Sequence, residues 1–318
     1  MTSGEVSTVG TGADSRLSRT VLVANQKGGV GKSSIVTAVA ALTCSPDRRV
    51  LVVDADQQAN ATRSDLGVAG DNGRNLAAAM QFAYPLEIVR DVRLGLDIVP
   101  GGSALAMVGA AAASASESGE DLGANLATAL ADLCGRERYS LVLVDSGPGD
   151  APLLDALLNC VRYLVVPTKD DDASLAGVEL LADRYLRARA RGAAVELLGV
   201  ILFDANPRAT ARNAEVLDQV DSLLEGSRAT AFEALVRSDK AAAVDLRNRH
   251  ITPSELVAVA EDGTKGRLAG LRSGSTPAGE RLWSRDPSGL AGDYQELTRE
   301  LLQRVAAAER RTTAGEGQ

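Results

Sequence analysis

From residue 20 onward the chain alternates short, wholly apolar runs with longer stretches whose apolar residues recur at helical spacing. The runs predict strands at 20–25, 49–54, 96–99, 140–145, 161–166, 196–203 and 231–236. Leu141-Val142-Leu143-Val144 is apolar on both faces, as a strand must be when helices cover both sides of its sheet. This alternation predicts an α/β fold: a doubly wound, mostly parallel sheet flanked by helices and joined by right-handed crossovers. Ligands in such sheets bind at the carboxyl ends of the strands. Near the end of the chain, Tyr294, Leu297, Leu301, Val305 and Ala308 fall on one helical face and predict a packing helix over 293–311. Residues 1–19, rich in Ser, Thr and Gly, and residues 312–318 are expected to be disordered tails around one domain spanning 20–311. Residues 109–123 read as a surface loop or frayed helix end. An insertion at about 250–282 carries five glycines and a Thr-Pro within 262–280 and reads as an ordered loop at best.

Composition narrows the chemistry. The 318 residues are 45% apolar but only 3% aromatic, which suits helices packed on a buried parallel sheet. The formal charge of −8 means that any DNA surface has to be a local patch. Cys44, Cys134 and Cys160 stand far apart and His250 is the single histidine, so metal clusters and disulfides are poorly supported and each thiol is expected to be a small buried hydrophobe. The longest apolar stretch, near 104–113, is too short to span a bilayer, and the first residues lack a hydrophobic signal region. A soluble, cytoplasmic protein is expected.

Only five of the 34 basic residues are lysines, and two of these lie within six residues, in Lys27-Gly28-Gly29-Val30-Gly31-Lys32-Ser33. An apolar run precedes this segment and a helical stretch from Ser34 follows it, the strand–glycine turn–helix arrangement that binds phosphate. The glycines let backbone N–H groups point at anionic oxygens, Lys32 reaches the outer phosphates, and the Ser33 hydroxyl suits magnesium. The standard pattern places Gly where Gln26 stands; Lys follows it instead. A second phosphate-seeking lysine, Lys27, needs an anion of its own and suggests a nucleotide shared between two subunits. The second strand ends in Asp54-Ala55-Asp56, two acids pointing into one crevice, one able to hold magnesium and the other to orient a water. The strand at 141–145 ends in Asp145, a second magnesium-side carboxylate, followed by the turn Ser146-Gly147-Pro148-Gly149.

Together these residues resemble the deviant-Walker phosphate-loop ATPases that include ParA and MinD, with ParA the closer. The resemblance rests on residues 27–33, on Asp54-Ala55-Asp56-Gln57-Gln58-Ala59-Asn60, on Leu96 to Pro100, on Asp145 to Gly149, and on Val166-Pro167 with Ser174 to Gly177. It covers roughly 20–250 and 283–308. It implies that ATP and magnesium are bound by Gly28, Gly29, Val30, Gly31, Lys32, Ser33 and Ser34, with Asn206 on the adenine side. Ser33 and Asp145, supported by Asp54, serve the metal. Lys27 crosses to the partner's ATP, and Asp56 positions the hydrolytic water. It further implies an ATP-sandwich homodimer that binds double-stranded DNA without sequence preference, associates with the nucleoid, and is released when a ParB-like partner stimulates slow hydrolysis.

Some positions depart from the family pattern. Gln57 and Gly147 replace prolines, and Ser288 and Leu290 stand where basic, DNA-binding residues are usual. The remaining candidates for DNA are Arg237, Lys240, Arg247, Arg249, Arg281 and Arg285. A MinD-like membrane regulator is the alternative, but the C-terminal helix mixes charges and lacks large aromatics, so no membrane contact is expected. An iron-protein role lacks cluster cysteines, and a tyrosine-kinase role lacks a tyrosine cluster. A nucleotide-binding adaptor without hydrolysis is disfavoured by Asp56. Only about 19 residues precede the first strand, which leaves no expected room for an operator-binding helix-turn-helix.

Overall fold

The computed structural model describes residues 14–109, 121–273 and 282–315. Nine strands form one sheet: β1 (Thr20–Val23), β2 (Val50–Ala55), β3 (Val89–Arg93), β4 (Leu96–Val99), β5 (Leu141–Ser146), β6 (Tyr163–Thr168), β7 (Glu196–Ala205), β8 (Thr230–Ala231) and β9 (Val236–Arg237). The helices used below are α1 (Lys32–Thr43), α2 (Arg74–Phe82), α3 (Leu122–Glu137), α4 (Ala151–Cys160), α5 (Asp172–Ala190), α6 (Thr210–Leu223), α7 (Lys240–Arg249), α8 (Pro253–Ser273) and α9 (Ser288–Gly315).

The sheet runs β3-β4-β2-β5-β1-β6-β7-β8, with β9 also on β7, and every pairing except β3–β4 is parallel. Every residue of β1, β2, β4, β5 and β6 is buried, which is why these runs are apolar on both faces. On one face Leu76, Met80, Leu126, Leu130 and Leu157 of α2, α3 and α4 form the core; on the other, Ile35 and Val39 of α1 pack with Leu297 and Leu301 of α9. The doubly wound α/β class is therefore the observed one.

Four expectations need correction. The sequence pattern gives no strand at β3, because Val-Arg-Asp-Val-Arg is an exposed, polar antiparallel edge. It is tied down by Asp97, a buried carboxylate that accepts from the Asp91 N–H (2.9 Å), the Tyr139 hydroxyl (2.6 Å) and the Arg49 guanidinium. The run at 231–236 is two short strands with a bend between them. Of the segment 262–280, expected as a loop, residues 262–273 are helix despite Gly263, Gly266 and Gly270, in a helix that begins at Pro253. Thr252 and Glu255 cap it reciprocally, the Thr252 N–H donating to Glu255 Oε2 at 2.7 Å, with Pro253 at the first helical position. Both expected tails are partly ordered: Asp14 caps a 3₁₀ turn at Ser15–Leu17, and α9 continues through residues 312–315. Most of the expected loop at 109–123 lies outside the described residues, as do 274–281. Cys134 and Cys160 are buried and Cys44 is half-buried, all three free.

Candidate functional site

The loop between β1 and α1 is set by two glycines in left-handed conformations, Gly29 (φ +75°) and Gly31 (φ +86°). A Cβ at Gly31 would stand 2.3 Å from the Phe203 ring, so only glycine fits there. The turn leaves the unpaired N–H groups at the start of α1 facing the carboxyl edge of the sheet, an anion cradle. Asn25 anchors its near side: its Nδ2 donates to the Pro167 carbonyl (2.8 Å) and its Oδ1 accepts from the Lys27 N–H (2.9 Å). Gly177 permits this contact, since a Cβ there would lie 2.5 Å from Asn25 Oδ1.

The two lysines are held differently. Lys32 is buried, and its ammonium donates to the Lys27 carbonyl at 2.9 Å. Burial lowers its pKa, opposed by the charges of Asp145 and Asp56. Lys27 sits at the rim and pairs with Asp171 at 2.8 Å, with 34% and 46% of the two side chains exposed. Asp171 caps α5, accepting from the Ser174 N–H and hydroxyl at 2.9 Å each. The Lys27 ammonium holds its carboxyl below the usual range.

Asp54 and Asp145 are paired across β2 and β5, but their surroundings differ. Asp54 is fully hydrogen-bonded, by the Thr62 N–H (2.8 Å), the Thr62 hydroxyl (2.6 Å) and the Asp56 N–H (3.1 Å). Burial pushes its pKa to about 6. Its oxygens hold the turn after β2. Asp145 is completely buried, and among the described residues neither carboxylate oxygen has a hydrogen-bond partner of normal geometry. Burial and the neighbouring Asp54 push it well above the usual carboxylate range, while the nearby Ser33 hydroxyl and Lys32 oppose the shift. A buried carboxylate short of partners beside a hydroxyl is suited to a small hard cation. Among the described residues no three His, Cys, Asp or Glu side chains form a ready metal cage. Magnesium needs none, since it keeps water and phosphate oxygens in its shell.

Asp56 accepts from the Gln58 N–H at 2.9 Å and faces an open groove of about 500 Å³ between the turn at 55–58 and residues 147–153. Gln57, the departure from the proline pattern, donates to Asp150 Oδ2 at 2.7 Å and bridges the two acidic loops. A Cβ at Gly147 would lie 2.9 Å from Asp56 Oδ1, so this glycine gives that carboxylate room.

On the other side of the loop lies a cavity of about 340 Å³ whose lining includes Gly29, Ser34, Phe203, Asp204, Lys240 and Tyr294. Asp204 pairs with Lys169 at 2.8 Å. Asn206, expected here, instead lies in the exposed turn beyond β7, where its side chain accepts from the Arg208 N–H. Phe203 and Asp204, two and three residues earlier, line the cavity. Only the path of β7 reveals this, although the Asp170-Asp171-Asp172 run before Ser174 did signal the α5 cap.

The expected DNA residues are not gathered into one outer patch. Arg237 is clamped by Asp293, with Nε–Oδ2 and Nη2–Oδ1 both 2.6 Å, and holds the start of α9. Arg237, Lys240 and Arg247 all line the cavity beside the phosphate loop. Arg249 lies at the end of α7, Arg285 is exposed before α9, and Arg281 lies outside the described residues. Leu290, at a usual basic position, is buried core.

A family model described as an AAA domain matches residues 18–191, more than half of the chain. The chromosome-partitioning ATPase Soj of Thermus thermophilus is 34% identical over 185 residues, 58% of this chain and 68% of that protein. An uncharacterised protein of Mycobacterium tuberculosis is 28% identical over 207 residues, 64% of this chain and 63% of its own length. The chain thus spans about two thirds of the length of these relatives. Among solved structures, apo McdA of Cyanothece superposes with a TM-score of 0.64 at 20% identity, covering 75% of this chain and 92% of that one. Cobyrinic acid a,c-diamide synthase of Mycobacterium smegmatis with bound ADP and magnesium superposes at 0.60 with 22% identity, over 83% and 99%. At such identities the likeness shows the fold, which unrelated activities share.

Proposed function

The chain belongs to the AAA-domain family, in the ParA/MinD group of phosphate-loop ATPases, and from that premise we propose that it is a partition or positioning ATPase that cycles between monomer and ATP-bound dimer. The observation that carries this reading is the division between the loop's two lysines. Lys32 is buried and held by its own loop, as a phosphate ligand should be. Lys27 stands at the rim on an exposed ion pair, which holds it weakly and leaves it able to reach a second molecule.

ATP lies with its phosphates over the N-terminus of α1 and its nucleoside toward the cavity beside Phe203 and Asp204. Ser33 and Asp145 would hold magnesium, which would supply charge neutralisation for the phosphates. Asp54 fixes the turn that carries Asp56, and Asp56 orients the attacking water; little more is needed, since phosphoryl transfer is mostly positioning and charge stabilisation. When two copies close face to face, Lys27 of each leaves Asp171 for the other's phosphates, so closure depends on the γ-phosphate. The closed dimer binds duplex DNA without sequence preference, on the nucleoid of the cytoplasm. A ParB-like partner releases it by stimulating hydrolysis. The name of Soj, a chromosome-partitioning ATPase, supports a partition role without choosing the cargo here.

Light scattering with ATP and with ADP tests this cycle. Wild type is expected to dimerise with ATP only, Lys27→Ala to bind nucleotide but stay monomeric, Lys32→Ala to lose nucleotide, and Asp56→Ala to dimerise and remain locked. Normal ATP-dependent dimers of Lys27→Ala would remove the cross-subunit role.

A further inference from the structure

Because β2, β5, β1, β6 and β7 are parallel, the residues just before each strand share one edge of the molecule, opposite the nucleotide loop. Arginine recurs there: Arg19 precedes β1, Arg48 and Arg49 precede β2, Arg138 precedes β5, Arg162 precedes β6 and Arg191 precedes β7. The C-terminus of α9 reaches the same edge, since Arg19 pairs with Glu309 at 2.6 Å and Arg162 bonds Thr312 at 3.0 Å.

Several acids of this edge are already occupied. Glu137 pairs with Arg90 at 2.7 Å and Glu196 with Arg311. Asp132 pairs with Arg16 at 3.1 Å. Another set of arginines is exposed and makes no ion pair among the described residues: Arg48, Arg136, Arg138, Arg187, Arg189 and Arg191. Among the described residues, the exposed acids near them that make no ion pair are Asp47 in the turn before β2, Asp183 on α5 and Glu225 after α6, fewer than the arginines. Arginines at the ends of α3 and α5 complement the helix dipoles, but one or two per helix suffice for that, and Arg48 is on no helix. A concentration of unpaired positive charge on one face, in a chain of net charge −8, is a patch of the kind that attracts a polyanion.

We propose that this arginine face, at the amino ends of the parallel strands, is the surface that grips the phosphate backbone of duplex DNA. The proposal rests on the reading of the chain as a DNA-binding partition ATPase and gives that reading a surface different from the one the family resemblance suggested. The four strand spacings from β2 to β7 set Arg48 and Arg191 about 19 Å apart, and a duplex offers one negative charge per about 1.7 Å of axis, so several arginines engage at once. Guanidinium groups bind phosphate in planar, bidentate fashion. The exposed leucines near this edge, Leu94 in the turn between β3 and β4 and Leu186 on the helix that follows β6, are separated by four strand spacings and form no apolar stripe for a bilayer. In a dimer closed over nucleotide the two faces point away from each other, so each is free to engage its own stretch of duplex.

The test measures binding of the full chain with ATP to a random-sequence duplex, by fluorescence anisotropy over a range of salt. The quadruple variant Arg48→Gln/Arg138→Gln/Arg189→Gln/Arg191→Gln is compared with Lys240→Gln/Arg285→Gln on the surface that the resemblance implies. The quadruple variant is expected to bind at least about tenfold more weakly at low salt and to lose about 2 to 4 from the slope of log K against log salt. Replacing the same four residues by lysine restores most binding. If the quadruple variant fails to melt cooperatively, Arg48→Gln and Arg191→Gln singly are each expected to lower the slope by about one. Equal binding by wild type and the arginine variants overturns the proposal while leaving DNA binding standing. Loss confined to Lys240→Gln/Arg285→Gln overturns it in favour of the other surface. If wild type ignores duplex but the same arginines hold phosphatidylglycerol vesicles, the partner is a membrane and the proposal falls. If wild type binds neither, the DNA-binding reading falls with it.

Discussion

Asp65 is a half-buried acid on the wall of the cavity beside the phosphate loop. It ends the short π-helical turn Asn60–Asp65, accepts from the Thr37 hydroxyl at 3.1 Å, and faces Arg247, His250 and Tyr294. Burial pushes its pKa from 3.8 to about 6, against the bond from Thr37 and the charges of Arg247 and His250. Between those values the folded chain holds a proton that the unfolded chain has lost, so this group's contribution to stability falls as pH rises through the window. Asp65→Asn lacks that loss. Its stability relative to wild type is expected to rise by about 3 kcal/mol across the window, read by urea unfolding at stepped pH. A constant difference would mean that Asp65 is already ionised in the folded protein. The phosphate-loop residues were legible in the sequence because their spacing is fixed by the phosphates they serve. Phe203 against Gly31 was not, since nothing near Gly31 in the sequence refers to a strand more than 160 residues away.

At the scale of elements, α5 begins on the residue that holds Lys27. Asp171→Asn keeps a capping oxygen for α5 but removes the charge opposite Lys27. An exposed pair contributes at most about 1 kcal/mol and two are broken in each dimer, so the variant is expected to dimerise with ATP at up to about thirtyfold lower protein concentration. Concentration-dependent light scattering checks it; a weaker dimer would show that Asp171 assists closure. Capping was also the overlooked signal in α8. Thr252-Pro253-Ser254-Glu255 announces a helix start, whereas the glycine count of the segment suggested a loop. Three glycines spread along a helix lower its propensity without breaking it.

Across the whole molecule, α9 covers α1 with Leu290, Tyr294, Leu297, Leu301, Val305 and Ala308, all buried. Its apolar stripe is therefore core, and among the described residues no helix is long and apolar enough to cross a membrane. Leu297 is fully buried, so Leu297→Ala is expected to lower stability by about 2 to 5 kcal/mol while leaving the loop's residues unchanged. Denaturant unfolding with and without ATP separates the two effects: a change in nucleotide affinity beyond that in stability would place α9 in the site. The two ends of the sheet differ in kind. Acids and the phosphate loop gather at the carboxyl ends, and arginines gather at the amino ends.

Within the chain itself, alternation of apolar runs determined the α/β class, and local spacing determined the phosphate loop and the acids that follow two strands. Both are short-range properties, written within one element and its adjoining turn. Tertiary structure alone decided which carboxylate is short of partners, because Thr62 satisfies Asp54 while among the described residues no partner of normal hydrogen-bond geometry meets Asp145. It decided that Lys27 rests on Asp171, 144 residues away, and that arginines scattered from 48 to 191 share one edge. These outcomes depend on strand order and packing. Residues distant in sequence meet there, and burial and pairing then decide which charges remain available.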